Sequence, residues 1–191
     1  MGWKPFPYPP LSGTQIRYIT IHPSNGASGR AQCTLHQAPL EDVEFDALSY
    51  AWGDTSVTET IIVSGKPFRA TTNLVACLKQ LATRPGETGL WVDAICINQN
   101  DVDERNLQVQ RMKNIYQTAQ SVIAWLGSST RLSRIGVRRL KEIDLAETVR
   151  QVGLGAGQQT KPKSRILKGV VDGDGEAGLR DLLNRPYWCR T

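Results

Sequence analysis

Long apolar runs are missing from this 191-residue chain. None approaches the roughly 18–20 residues that a membrane-spanning helix needs, so a span is excluded. The start, Met1-Gly-Trp-Lys-Pro-Phe-Pro-Tyr-Pro-Pro, is proline-rich and has no apolar signal core, so a cleaved secretion signal is not expected. Soft metal ligands are scarce. Cys33, Cys77, Cys96 and Cys189 stand far apart, without a Cys-x-x-Cys pair, and His22 and His36 are the two histidines. That inventory is too sparse for a structural zinc site and reads as ordinary buried thiols of a reduced, cytoplasmic protein. The Gly-x4-Gly-Lys-Ser/Thr phosphate loop and the Gly-x-Ser-x-Gly nucleophile elbow are also absent.

What is present is globular. Hydrophobic residues make up 40% and charged residues 21%, which excludes a wholly disordered or fibrous chain. The net charge of +5 is uneven: residues 131–191 carry 13 basic and 7 acidic side chains, against 10 and 11 before them. A basic segment attracts anionic partners, but no aromatic platform is interleaved with this one. A solvated helix face is the plainer reading, and nucleic acid is not an expected partner.

Residues 1–30 read as an irregular lead-in with one short strand over 16–21. Residues 45–52 read as a strand ended by Gly53-Asp54, and 60–63 with 67–70 as a hairpin around Ser64-Gly65-Lys66. Asn73 is placed to cap a helix with Leu74, Cys77, Leu78 and Leu81 on one face. Leu-Trp-Val-Asp-Ala-Ile-Cys-Ile, residues 90–97, is nearly continuous apolar sequence and predicts a strand buried on both faces. Asp101 then opens a helix, and residues 122–126 form a further strand. Strand, helix and strand over 90–126 have the size of a βαβ unit. Residues 132–152 and 176–184 predict two more helices, with a mobile loop over 153–175. The fold class is therefore α/β: an open, mainly parallel sheet flanked by helices, with an added hairpin.

Ligands of such sheets bind beyond the carboxyl ends of the strands. Three segments meet there: Tyr50 to Asp54, Asp93 to Asn98, and the helix start from Asp101 to Gln108. Glu104 has two readings. Asp101-x-x-Glu104 has capping-box spacing, and a carboxylate at a helix start also suits substrate handling. Asp93, interrupting a buried run, must be paired, with a backbone N–H or with Arg105. Trp52, Trp91 and Trp125 suit core packing, and the Tyr50 hydroxyl needs a partner.

These residues also carry a resemblance. Ala47-Leu-Ser-Tyr-Ala-Trp-Gly53, Asn73-Leu74, Leu90-Trp-Val-Asp-Ala-Ile-Cys-Ile-Asn-Gln99, Asp103-Glu-Arg105, Gln108-Val109 and Arg185-Pro-Tyr-Trp-Cys-Arg190 resemble, in order, the blocks of the fungal heterokaryon incompatibility (HET) domain. The resemblance places that domain at 31–191 and implies a C-terminal end cut short, because a Trp and a Gln-Glu pair usually follow the last block. It implies an effector of fungal non-self recognition that triggers programmed cell death. It also implies sensing or oligomerising parts elsewhere, and a homo-oligomer on activation. The family is remotely similar to Toll/interleukin-receptor (TIR) domains, which implies a flavodoxin-like sheet and hydrolysis of NAD or NADP at the nicotinamide–ribose bond, with no separate cofactor. Under that reading Glu104 is the catalytic carboxylate. Tyr50 or Trp52 stacks on a ring, Arg105 or the helix N–H groups hold pyrophosphate, and Asp93, Asn98 and Gln108 line the site. The alternative is a non-catalytic TIR-like signalling and self-association module.

Overall fold

Alternating side chains in Gln-Ile-Arg-Tyr-Ile-Thr-Ile make β1 (Gln15–Ile21), whose Ile16 and Ile19 point to opposite faces and are both fully buried. A strand buried on both faces belongs in the middle of a sheet, and β1 lies there. The computed structural model describes residues 5–23, 29–83, 88–153 and 174–189. The chain forms two units, Met1–Trp125 and Leu126–Thr191.

The first unit holds a seven-stranded sheet. After β1 come β2 (Gln32–Pro39), β3 (Phe45–Tyr50), β4 (Thr58–Val63), β5 (Lys66–Thr71), β6 (Gly89–Trp91) and β7 (Val122–Trp125), in the order β5-β4-β2-β1-β6-β3-β7. The class is α/β as the sequence implies, but the sheet is mixed. β3 pairs in parallel with both β6 and β7, whereas β1 runs antiparallel to its neighbours β2 and β6. This is not the all-parallel 2-1-3-4-5 order of flavodoxin. The hairpin is β4–β5, closed by Ser64 and Gly65 with φ of 47° and 75°. Two positive φ values in a two-residue loop make the turn whose twist matches the strands, and Gly65 takes its conformation without cost.

The predicted strand over 90–97 is corrected. β6 ends at Trp91, and residues Asp93–Cys96 form one helical turn, α2. The N–H groups of Ile95 and Cys96 turn back to the Val92 carbonyl. Ile95, Cys96 and Ile97 remain buried. Burial explains the apolar run as well in a helical turn as in a strand, and periodicity cannot separate the two over so few residues. α1 (Thr72–Leu81) follows the hairpin, and α3 (Val102–Thr118) connects α2 to β7.

In the second unit α4 spans Arg131–Gly153 and α5 spans Asp174–Leu183, with a 3-10 turn at Pro186–Cys189. Of the predicted mobile loop, residues 154–173 lie outside the described residues. Thr130 and Ser133 cap α4 reciprocally, each hydroxyl accepting the other's backbone N–H at 2.9 and 2.8 Å. α4 and α5 cross at two glycines. A Cβ on Gly136 would stand 2.5 Å from the Gly178 carbonyl oxygen. Gly178 also ends a Gly-x-Gly-x-x-Gly spacing that starts at Gly173, and inside α5 it serves packing. Arg185, from the last family block, holds this unit's entry loop. It donates to the Leu126 and Ser128 carbonyls at 3.3 and 2.9 Å and to Asp181 at 2.8 Å, holding the Asp181 carboxyl below its ordinary range.

Gly136→Ala tests the crossing. Replacing glycine by alanine inside a helix normally gains about 1 kcal/mol. Here the new methyl meets backbone, which no rotamer change relieves, and overpacking of this kind costs about 1–3 kcal/mol. The expected result is a lower thermal midpoint for the second unit. An unchanged or raised midpoint would mean that the two helices do not pack this closely.

Candidate functional site

Buried charge organises the first unit. Arg17, on β1, has a side chain with no exposed surface. A cation there must satisfy its five N–H donors internally. Nε and Nη2 donate to the Pro9 carbonyl, Nη1 donates to the Cys96 carbonyl at 3.1 Å, and Glu104 takes the remaining donors with both oxygens. The Arg17–Glu104 pair is bidentate, at 2.6 and 3.0 Å. Tyr8 lays its ring over the guanidinium, 4.8 Å from its centroid. Burial pushes the Tyr8 phenol well above its ordinary range, and the cation opposes part of that shift.

Glu104 is thus a counterion. Its Oε1 also accepts the Asn98 N–H at 2.7 Å. The capping box is half built: Asp101 accepts the Glu104 N–H at 3.0 Å, while the Glu104 carboxylate turns to Arg17 and Asn98 instead of back to Asp101. The Asn98 side-chain oxygen accepts the Asn100 N–H, which shapes the loop before α3.

A second carboxylate serves Trp52. Asp93 accepts the Trp52 indole N–H at 2.9 Å and the Ala94 backbone N–H at 2.7 Å. Its partners therefore include the expected backbone N–H and, in place of Arg105, an indole. Burial, then the Asp93 carboxylate that Tyr50 hydrogen-bonds, drive the Tyr50 phenol far above its ordinary pKa. Gln99 donates to the Asp93 carbonyl at 3.1 Å. Tyr50, Trp52 and Asp93 are brought together as the sequence suggests, and Asn98 meets Glu104. These are two clusters, joined through the loop at 98–100. Arg105 is half-exposed beside them. Gln108 is buried, and its amide nitrogen has no partner among the described residues.

Asn73 differs from expectation. Thr71 is the residue that precedes α1, without a side-chain capping bond. Asn73 instead donates to the Ala51 carbonyl at 2.6 Å and accepts the Trp125 indole N–H at 3.0 Å. It ties the end of β3 to the end of β7. Trp91 is core, packed edge-on against Tyr116 with centroids 5.5 Å apart.

Trp52 forms one wall of a cleft of about 380 Å³. Phe6 lines it from the N-terminal segment, Phe68, Arg69 and Thr71 from the end of the hairpin, and Asn100 from the loop before α3. Neither Glu104 nor Asp93 lines this cleft. Sequence reasoning missed Arg17 and the whole hairpin side. Arg17 did leave a signal, as the one charge in a strand with three isoleucines. Among the described residues no group of three or more His, Cys, Asp or Glu is placed to hold a metal. No helix there is long and apolar enough to cross a membrane.

The fold and cleft define an α/β domain with a ligand-sized opening at the ends of its parallel strands. The family described as "Heterokaryon incompatibility protein (HET)" matches residues 45–191, and the chain belongs to that family. It is similar to Heterokaryon incompatibility protein 6, OR allele, of Neurospora crassa, at 35% identity over 128 residues, or 60% of this chain. The match covers 19% of that protein. No solved structure matches the chain significantly.

Removing one partner of the buried pair leaves the other charge uncompensated, at a cost of about 3–5 kcal/mol. Glu104→Leu and Arg17→Met are each expected to destabilise the first unit by that order. The double variant Arg17→Met/Glu104→Leu should lose much less than the sum. Urea unfolding of the four proteins measures the coupling, and additive losses would exclude a buried pair.

Proposed function

We propose that this chain is the effector domain of a fungal non-self recognition protein, where it triggers growth arrest and programmed cell death. The family match over residues 45–191 carries this reading. The similar Neurospora protein bears the incompatibility name, and the role comes to this chain by that kinship alone.

The engagement of Glu104 supports a structural role for it and a signalling role for the domain. A carboxylate that stabilises an oxocarbenium-like state at a ribose must face that ribose. Both oxygens of Glu104 face Arg17 instead, and one also holds the Asn98 N–H. In this reading the domain acts in the cytoplasm by TIR-like self-association, with sensing parts elsewhere in the full protein.

One observation favours the catalytic alternative, hydrolysis of NAD or NADP at the nicotinamide–ribose bond. The cleft beside Trp52 offers an aromatic wall whose indole N–H is held by the Asp93 carboxylate. Under that alternative Asp93, and not Glu104, is the carboxylate joined to the cleft lining, through the Trp52 indole.

The experiment is incubation of concentrated protein with NAD and with NADP, free and under forced clustering, with nicotinamide followed by chromatography. Wild type, Glu104→Gln and Asp93→Asn are compared, their folding checked by circular dichroism. The signalling reading expects no release from any of them, together with killing on expression in a fungal host. Release that survives Glu104→Gln and stops in Asp93→Asn would establish the alternative. Release that stops in a folded Glu104→Gln would overturn the structural assignment of Glu104.

A further inference from the structure

Residues 5–10, Pro-Phe-Pro-Tyr-Pro-Pro, belong to no strand or helix, yet they are seated on the first unit. Four of the six are prolines, so the segment has few N–H groups and is unsuited to extend a sheet. Pro7 and Pro9 also bias Phe6 and Tyr8 towards extended backbone. The Tyr8 N–H is spent inside the segment, on the Phe6 carbonyl at 3.1 Å, and the two rings meet edge-on with centroids 4.9 Å apart. A segment shaped by its own sequence loses little entropy on docking, as proline-rich ligands do.

Side chains hold it in place. Phe6 packs edge-on against Phe68 of β5, centroids 5.7 Å apart, and Tyr8 covers Arg17 at 4.8 Å. Among the described residues, its hydrogen bonds to the rest of the unit converge on one acceptor, the Pro9 carbonyl, which takes Nε and Nη2 of Arg17. Two aromatic anchors and one carbonyl are the contacts of a docked peptide. The groove is built to be filled. Without the segment Arg17, whose side chain has no exposed surface, loses that acceptor and the ring over its cation. Beyond the segment the chain is gripped again. Arg111 donates to the Thr14 and Gln15 carbonyls at 2.6 and 3.1 Å, and the Leu40 N–H donates to Thr14 at 3.2 Å. Between the two anchorages lies a turn, closed by the Gln15 N–H on the Ser12 carbonyl at 3.1 Å, with Gly13 at φ 57°. That turn is the hinge of the segment.

We propose that the surface formed by Phe68 and Arg17 docks the Phe6–Pro9 segment of a second copy, the segment being exchanged between copies when the Gly13 turn opens. The second copy is the occupant because it carries the sequence that this surface already fits, so the contacts made within one chain recur between two. A closed monomer and an exchanged dimer then differ in the turn alone. Within one chain the short tether keeps the segment at high local concentration, and the closed form wins. Gathering many copies, or a turn that cannot close, moves the balance to exchange. The exchange gives the self-association of the signalling reading a surface. Its purpose rests on that reading, and its occurrence does not.

Gly13→Pro in the full chain tests it, because proline cannot take a φ of 57° and the turn must open. Size-exclusion chromatography with light scattering, at micromolar concentration, should find the wild type monomeric and Gly13→Pro dimeric. Excess synthetic peptide Pro-Phe-Pro-Tyr-Pro-Pro-Leu, the sequence of residues 5–11, should return that dimer to monomer, and the same peptide with Ala in place of Tyr should not. Adding Tyr8→Ala or Phe68→Ala to Gly13→Pro should abolish the dimer. Circular dichroism checks the folding of each variant. A second measurement does not need Gly13→Pro to fold: the fluorescently labelled peptide should bind full-chain Tyr8→Ala, whose own segment is loosened, at least tenfold more tightly than wild type, and should lose that affinity on adding Phe68→Ala. A folded Gly13→Pro that stays monomeric overturns the proposal, and peptide binding to it would assign the groove to another protein's segment. A dimer indifferent to the peptide and to Tyr8→Ala also overturns it, since another surface would then join the copies. So does equal peptide affinity of wild type and Tyr8→Ala. A peptide-sensitive dimer that leaves killing in a fungal host unchanged would establish the exchange and reject its part in signalling.

Discussion

The rest of the first unit depends on one buried guanidinium. Placing Arg17 in the middle strand of a sheet strips a cation of water, and the effective penalty is several kcal/mol unless every donor is met. The acceptors come from three other segments: Pro9 in the N-terminal stretch, Cys96 at the end of α2, and Glu104 in the first turn of α3. Pro9 lies 8 positions from Arg17, while Cys96 and Glu104 lie 79 and 87 positions from it. Satisfying Arg17 therefore fixes where α3 starts and where the 98–100 loop runs. It also lays the proline-rich segment across the sheet end. A hydrophobic residue at position 17 would hold β1 equally well but would specify none of that.

The other junctions follow the same logic with neutral donors. In the first unit two tryptophans use their indole N–H as a fastener, Trp52 on Asp93 and Trp125 on Asn73. Each bond joins the end of a parallel strand to a helix that follows another strand, α2 after β6 and α1 after β5. The strand ends that frame the cleft are thereby held by side-chain bonds. The sheet hydrogen bonds stop short of this region, since β3 ends at Tyr50 and β6 at Trp91. Residues of the family blocks sit at these fasteners: Trp52, Asn73, Asp93, Glu104 and Trp125. Their order in the sequence is thus an order of joints, and Arg185 plays the same part for the loop that opens the second unit.

Elements whose identity rests on local chemistry were legible in the sequence. The hairpin is announced by Ser64-Gly65-Lys66, and the start of α3 by Asp101. Pairings set by distant partners were not legible. β1 was visible as a strand, but nothing local says that it runs antiparallel between β2 and β6. The stretch 90–97 was read as a strand because its residues are buried, and burial is what it shares with α2. Asn73 was read as a cap because Asn favours helix starts; its amide is instead drawn to Ala51 and Trp125, contacts 22 and 52 positions away in sequence. For the same reason the clusters around Trp52 and Glu104 were predicted as one site, while their separate partners make them two.

A polar residue on an apolar face implies function only when its structural return is missing. Glu104 fits the first half of that rule but not the second, since Arg17 and Asn98 repay its burial in full. Asp93 is repaid by Trp52 and by its own backbone. Thr71 and Gln108 are different. A Thr71 hydroxyl oxygen and a Gln108 amide nitrogen are buried without a partner among the described residues, and each orphan of this kind costs about 1–3 kcal/mol. Of the two, Thr71 is the residue that lines the cleft, beside the half-exposed indole of Trp52. The charged motif at the start of α3 draws the eye in the sequence, but its charge is already neutralised. The orphaned hydroxyl oxygen of Thr71 lies on the hairpin side, where the sequence shows a threonine of no particular pattern.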